Sequence, residues 1–587
     1  MIVVAELIKR HTQIWERMMP WRPIWQDLAD MMIPRKAQVS YKSLYGPRRQ
    51  TERMLDETAV DAAQKLGATM QGSLTSPAAK WFGLAMRDQE LRRLGLLNPW
   101  LEDCTSTLFD AFQDSNFNEE VQESYFDLSV FGISAIHMRE KSPNAREWSG
   151  FHFEALQVGD YAIDENDDGE VDTLHRVLYR SARSIVRRWD APAMKLGGGQ
   201  PWERFKERAE KNPFEEIPVV HAVYPREDWV DTGRKRIGLG KKYASMYFLE
   251  ELKIVLEEGG YDDFPYLVPR WSKQAGEVYG RGPGITALPT TLSLTKAIEL
   301  DFKSWEKDLD PPLKAKNRGI VGRVKTTPAA MTIVSDMEAI APLFDTKRLG
   351  SYQPTQIRVE RMEEKIRKVF YYDQLQLPGG GAGDAAQNTY MSATEVEKRY
   401  QLMQRLLGPT LGRLQNEKLK PLVERGFRMM AERDALPDAP EAFKEQFATA
   451  RKMPRLLVKY EGPLERAQRA SELDGINRAW SLTAPIIEAE AKVGAQSEVL
   501  DVLQLDEVTR NIWTAAGTRT GSLRDPRKVK ERRDQRAQAV AAEKEKQDQM
   551  NAAEAMGKAA PAAGAMRELQ DAGMMPEGGP GGQQRAA

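Results

Sequence analysis

Few residues in this chain stand at spacings that could do chemistry, and each group fails a test. A phosphate-cradling loop has the form GxxxxGK[ST], so that backbone N–H groups and one lysine face the phosphates. The nearest run is Gly240-Lys241, with Lys242 where Ser or Thr belongs and Lys235 where the first glycine belongs. It reads as a surface turn. Asp164, Asn166, Asp168 and Gly169 match the start of a calcium loop. The twelfth position of such a loop is a bidentate glutamate, and here it is His175. The flanks alternate like strands, so Asp168-Gly169 reads as a hairpin turn. The five histidines are His11, His137, His152, His175 and His221. They lack HExxH spacing and any cysteine cluster, and read as ordinary strand or helix residues. No GxSxG elbow occurs. The expectation is a non-enzyme with no catalytic residues, no cofactor and no metal.

Cys104 is the sole cysteine. It excludes a disulfide framework within the chain and fits a reducing compartment. A buried core thiol is expected. The chain has 587 residues, too many for one core. Its net charge is −1, whereas a tight DNA binder usually carries a basic excess. Any DNA contact should therefore be local or weak. The basic run "RDPRKVKERRDQR" at 524–536 also carries three acids, and reads first as a salt-bridged exposed helix. No apolar run approaches the roughly 20 residues of a membrane span. The first residues lack the layout of a signal peptide.

Elements must hold whatever the chain does. Ile14, Met18, Trp21, Trp25, Leu28 and Met32 form one helical stripe, broken by Pro20 and Pro23 and ended by Pro34. A second helix is expected from Thr51, with Leu55, Ala59, Ala62, Leu66, Met70 and Leu74 on one face. Asn98 and Pro99 read as an N-cap and first helical residue, with helix to about residue 131. From 135 to 270 short alternating runs predict a mixed α+β region, with a helix at "SARSIVRRWD". Helix is expected again over 286–308 and 355–372, with a Pro- and Gly-rich β excursion between them. "LPGGGAGDAAQN" should be a flexible loop. A long helix follows, with a capping box at Ser392 and Glu395 and kinks near Pro409 and Pro421.

Four stretches carry a specific resemblance: 70–84, 269–301, 391–427 and 458–470. In order and spacing they resemble the head-to-tail connector (portal) family of T7-like short-tailed phages, over about residues 5–515. The resemblance implies an α+β, mainly α, portal fold with wing, two-helix stem, clip and helical crown, assembled as a ring of about twelve copies. The implied layout is a wing at 1–285, stem helices at 286–308 and 355–375, and a clip at 309–354. It continues with a channel loop at 376–391 and a long kinked wing helix with a following strand at 392–462. Crown helices at 463–523 and a charged helix with a low-complexity tail at 524–587 complete it.

The implied DNA-facing valve is Pro378, Gly379, Gly380, Gly381, Ala382, Gly383 and Asp384. Gly280, Arg281, Gly282, Pro283, Gly284, Gly408, Pro409, Gly462 and Pro463 are structural residues of the matched stretches. The implied job is a conduit for double-stranded DNA at one capsid vertex. Implied partners are further copies, a packaging ATPase (terminase), scaffold and major capsid proteins, and tail adaptors, with no membrane. The place is the virion, assembled in the bacterial host cytoplasm. A helical tail-adaptor or scaffold without DNA contact is the alternative. An ATP-driven packaging enzyme is a third reading, set against by the failed phosphate loop.

Overall fold

The computed structural model describes residues 2–36, 39, 54–87, 97–142, 145–196, 198–226, 241–309, 313–315, 340–342, 352–372, 407–438, 440 and 456–460. It also describes 478, 481, 485, 509, 529, 531–547 and 549–551. The chain divides into Met1–Arg92 with Leu97–Ser481, and Arg93–Leu96 with Leu482–Ala587. In the second unit, 531–547 is an exposed helix. The elements below belong to the first unit.

Helices α1 (Ile2–Met18) and α2 (Arg22–Met32) are split by a 3-10 turn at Met19–Trp21, where Pro20 sits. Met18, Trp25, Leu28 and Met32 are buried as the stripe requires. Helix α3 (Thr58–Leu74) starts later than expected, and Leu55 is 41% exposed. The cause is Asp56, whose carboxylate accepts the Thr58 N–H at 2.9 Å and its hydroxyl at 3.1 Å. Strand β1 (Phe82–Met86) follows. In α4 (Asn98–Gln113) Asn98 is already helical and makes no side-chain cap, which corrects the expected N-cap. Helix α5 (Phe117–Phe131) ends on Gly132 in the left-handed region, at φ +80°.

Strands β2 (Ala135–Glu140) and β3 (Phe151–Leu156) pair antiparallel. Strands β4 (Tyr161–Glu165) and β5 (Val171–Ser181) form a hairpin turning at Gly169, φ +76°. That turn is closed by Asn166, which both donates to and accepts from Glu170. It stands where the calcium-loop spacing began. Helix α6 (Ala182–Lys195) is followed by α7 (Gly199–Lys211), which the sequence reading omits. Then come β6 (Glu216–Pro225), β7 (Tyr243–Leu249), β8 (Ile254–Tyr261) and the short β9 (Tyr266–Leu267).

The five-stranded sheet has the order β4-β5-β6-β7-β8, and a three-stranded sheet has the order β3-β2-β9. Alternation along β6 gives the larger sheet two buried faces. Ile217 and Val219 pack with Trp189 of α6 and Trp202 and Phe205 of α7. Val220, Ala222 and Tyr224 pack with Leu7 of α1. The main core lies elsewhere, around α2–α5, with Phe112, Phe117, Phe131 and Cys104 inside.

Helix α8 (Pro283–Leu309) leaves this core and leads to β10 (Leu313–Ala315). Strand β11 (Ile340–Pro342) pairs with β10, and α9 (Tyr352–Val369) packs along α8. Helix α10 (407–431) follows, with a π-helical segment at Gln415–Leu419. Proline at 421 has no N–H for the Glu417 carbonyl, so the ladder is disturbed where a kink is expected. The last strand, β12 (Leu456–Tyr460), pairs antiparallel with β1 over five residues.

Candidate assembly site: the anchor of the long helix

The run Gly280-Arg281-Gly282-Pro283-Gly284 turns the chain into α8, with Pro283 at its first position. Glycine is dictated here by contact. A Cβ on Gly282 would lie 2.8 Å from the Gly132 Cα and 2.9 Å from the Leu128 carbonyl oxygen. One on Gly284 would overlap the Val130 carbonyl oxygen, and one on Gly280 that of Gly132. The loop thus lies backbone to backbone on the end of α5. The Trp271 N–H donates to the Gly132 carbonyl at 2.9 Å. Arg281 pairs with Glu277 at 2.6 Å and covers the Trp21 ring at 5.2 Å.

Beneath this loop Arg270 is fully buried. All five of its side-chain N–H groups are used. Nη1 donates to Glu165 at 2.7 Å and to the Val278 carbonyl at 3.0 Å. Nη2 donates to the Gly169 carbonyl and to Glu417, each at 2.7 Å, and Nε to Glu417 at 3.2 Å. Burial alone would lower its pKa, but Glu417 and Glu165 outweigh that and raise it. Burial pushes the Glu165 carboxyl up; Lys273 and Arg270 more than offset this and hold it low. Four parts of the chain meet at one guanidinium: the β4–β5 turn, the loop before α8, the Arg270 segment and the π segment of α10.

The π segment sets two successive residues on different partners. Glu417 takes Arg270 and Arg413. Lys418 is fully buried, donates to Ser124 at 3.0 Å and lies 3.5 Å from the Tyr125 ring centre. Burial draws its pKa well down, against the pull of Asp127.

The sequence-selected residues separate here. Gly280, Arg281, Gly282, Pro283 and Gly284 come together at the foot of α8. Gly408 and Pro409 are exposed in the first described turn of α10, between the buried Leu407 and Leu411. The candidate valve Pro378–Asp384, and Gly462 with Pro463, lie outside the described residues, as do Lys235 and Gly240 of the failed phosphate loop. Sequence reasoning missed Gly132 and Arg270. Gly132 was detectable, as a glycine just after a helical run. Arg270 was not, because its acids lie over 100 positions away in the chain.

Four histidines are core residues. His11 and His175 approach at 3.4 Å between ring nitrogens. His221 meets Ser245 at 2.9 Å and the Tyr266 hydroxyl at 2.6 Å. His137 stacks on Tyr266 with centroids 4.7 Å apart. Among the described residues no cluster has the make-up of a metal site.

Helix α8 changes character along its length. Ala287 and Leu294 are buried near its foot. Further out Leu300, Phe302 and Trp305 are 55%, 56% and 54% exposed. On α9, Ile357 is 47% exposed. An anchored helix therefore carries an uncovered apolar end.

A family model described as "Bacteriophage head to tail connecting protein" matches residues 4–523. This chain belongs to that family. A "Probable portal protein" of Bordetella phage BPP-1 is 28% identical over 85% of each chain. The "Portal protein" of Salmonella phage epsilon15 is 25% identical over 94% of this chain and 93% of its own. A chain titled "Virion of native gene transfer agent (GTA) particle" overlays 71% of this one, and 98% of its own length, at 11% identity and a TM-score of 0.29. The connector family is the one that the matched stretches resemble, and phage portal function is what the two portal-named relatives support.

Proposed function

We propose that this chain is the repeating subunit of a phage portal, a closed ring at one capsid vertex. Double-stranded DNA enters and leaves through it, and a packaging ATPase and tail proteins dock on it. Helices α8 and α9 are the stem pair, and the chain between them is the clip. Pro378–Asp384 is the channel loop. The part up to residue 285, with α10 and β12, is the wing.

The observation that carries this reading is the apolar end of α8. Fully burying one such side chain is worth about 1.5–3 kcal/mol, so three left in water mark a surface awaiting a partner. In a cyclic ring every copy offers the same two patches to its neighbours, and each stem covers the next. A near-neutral subunit suits a conduit, because many phosphate contacts repeated around a ring would hold DNA fast. The names of the relatives favour a portal over a tail adaptor. Phe302→Ser combined with Trp305→Ser tests the reading. Light scattering should show ring formation lost, while the melting temperature of the unassembled chain stays within a few degrees. Rings as abundant as in the parent would contradict it.

A further inference from the structure

The five-stranded sheet is electrically lopsided. Where β5 runs into α6, Arg180, Arg183, Arg187 and Arg188 are exposed. None of the four forms an ion pair with a described residue. Arg183 lies over the Phe214 ring at 5.5 Å, and Arg188 over Trp189 at 4.6 Å. These stacks hold the guanidinium planes in place. Nearby acids are engaged by buried indoles: Asp190 accepts from Trp202 at 2.9 Å and Glu257 from Trp189 at 2.7 Å. Glu216, opposite Ser181 in the ladder, is outnumbered.

The other end of β5 is the reverse. Asp167, Asp168 and Glu170 are exposed in the turn before it, and none has an ion pair among the described residues. Their neighbour Glu165 is held by Arg270 and Lys273. The eleven residues of β5 separate the two ends by roughly 34 Å.

We infer that the arginine face of one copy meets the acidic turn of the next copy in the ring. The inference rests on the ring reading and names one of its contacts. A head-to-tail interface needs two different, complementary patches on every copy. This sheet supplies both, at opposite ends of one strand: Glu165 and Asp164 take up Arg270, Lys273 and Arg17 near the turn, and each end keeps a surplus of one sign. DNA would satisfy the arginines but leave the carboxylates unmatched. It would also give no role to Phe214, which is 74% exposed beside Arg183. Contacts of this kind fix partner and register more than raw affinity.

Two charge-reversed chains test it. One carries Arg183→Glu and Arg187→Glu, the other Asp167→Lys and Asp168→Lys. Mass photometry near the midpoint concentration of wild-type assembly should show each variant alone losing rings at least tenfold. An equimolar mixture should recover them, because reversed arginine faces meet reversed turns in alternation. Misfolded chains would not be rescued by mixing. If either variant assembles alone like the wild type, or the mixture fails to recover rings, the contact is wrong. If the wild type itself forms no ring, the ring reading fails as well.

Discussion

At the foot of α8 a few backbone atoms leave no room for a β-carbon. Gly282 lies against Gly132, itself at φ +80°, so a methyl there must displace the loop or the end of α5. Gly276 has a similar φ, +83°, but open space around it. The two positions separate backbone strain from contact. Gly276→Ala should cost about 1–2 kcal/mol, the left-handed penalty alone. Gly282→Ala should cost about 3 kcal/mol or more, in the range of overpacking. Chemical denaturation of the two variants measures the difference, and equal losses would contradict the contact argument.

The buried imidazoles make a second statement at this scale. Burial draws His11 down to about 4, and His137 and His175 to about 3, with His221 well below normal too. An unfolded chain protonates histidine near 6.5. Below that pH the unfolded state therefore holds more protons, and stability present above pH 6.5 is lost as pH falls toward 4. Asp127 has the opposite sign. Burial raises it to about 6 despite Lys36, so its share is present below the usual carboxylate pKa and lost as pH rises through 6. Burial also raises Glu363 and Glu424, and the four imidazoles outweigh these three carboxyls. Each contributes up to about 1.4 kcal/mol per pH unit. The melting temperature should fall clearly from pH 7 to pH 5, and an unchanged value would contradict a neutral buried cluster.

Among elements, those with local signals were legible in the sequence. The α1–α2 break follows from Pro20, the β4–β5 turn from Asp168-Gly169, and the strands at 135–181 from simple alternation. Helix α7 has a mixed local signal: Trp202, Phe205 and Ala209 keep helical spacing, while Gly198 and Pro201 at its start resemble a loop. Strand β1 was missed because its partner, β12, lies some 370 residues on. No window of sequence contains that pairing. The anchor was half legible for the same reason. Its glycines stand together in the chain, while Arg270, Glu165 and Glu417 are joined only by the fold. The candidate valve is a proposal from its glycines, which admit backbone states closed to other residues. Gly380→Pro should leave rings intact and reduce the DNA retained in heads, as read by gel analysis of purified particles. Normal DNA content would contradict the valve.

For the whole molecule, the anchored helix and the lopsided sheet point the same way. Arg270 and the glycine loop hold α8 firmly at its foot, and its far end is exposed. The opposite charges on the large sheet suit a head-to-tail order of copies. The most direct measurement is electron microscopy of the purified full-length protein with image averaging. Closed rings with an open central hole and side-by-side copies are predicted. A protein that stays a single copy from nanomolar to high micromolar concentration would contradict the account.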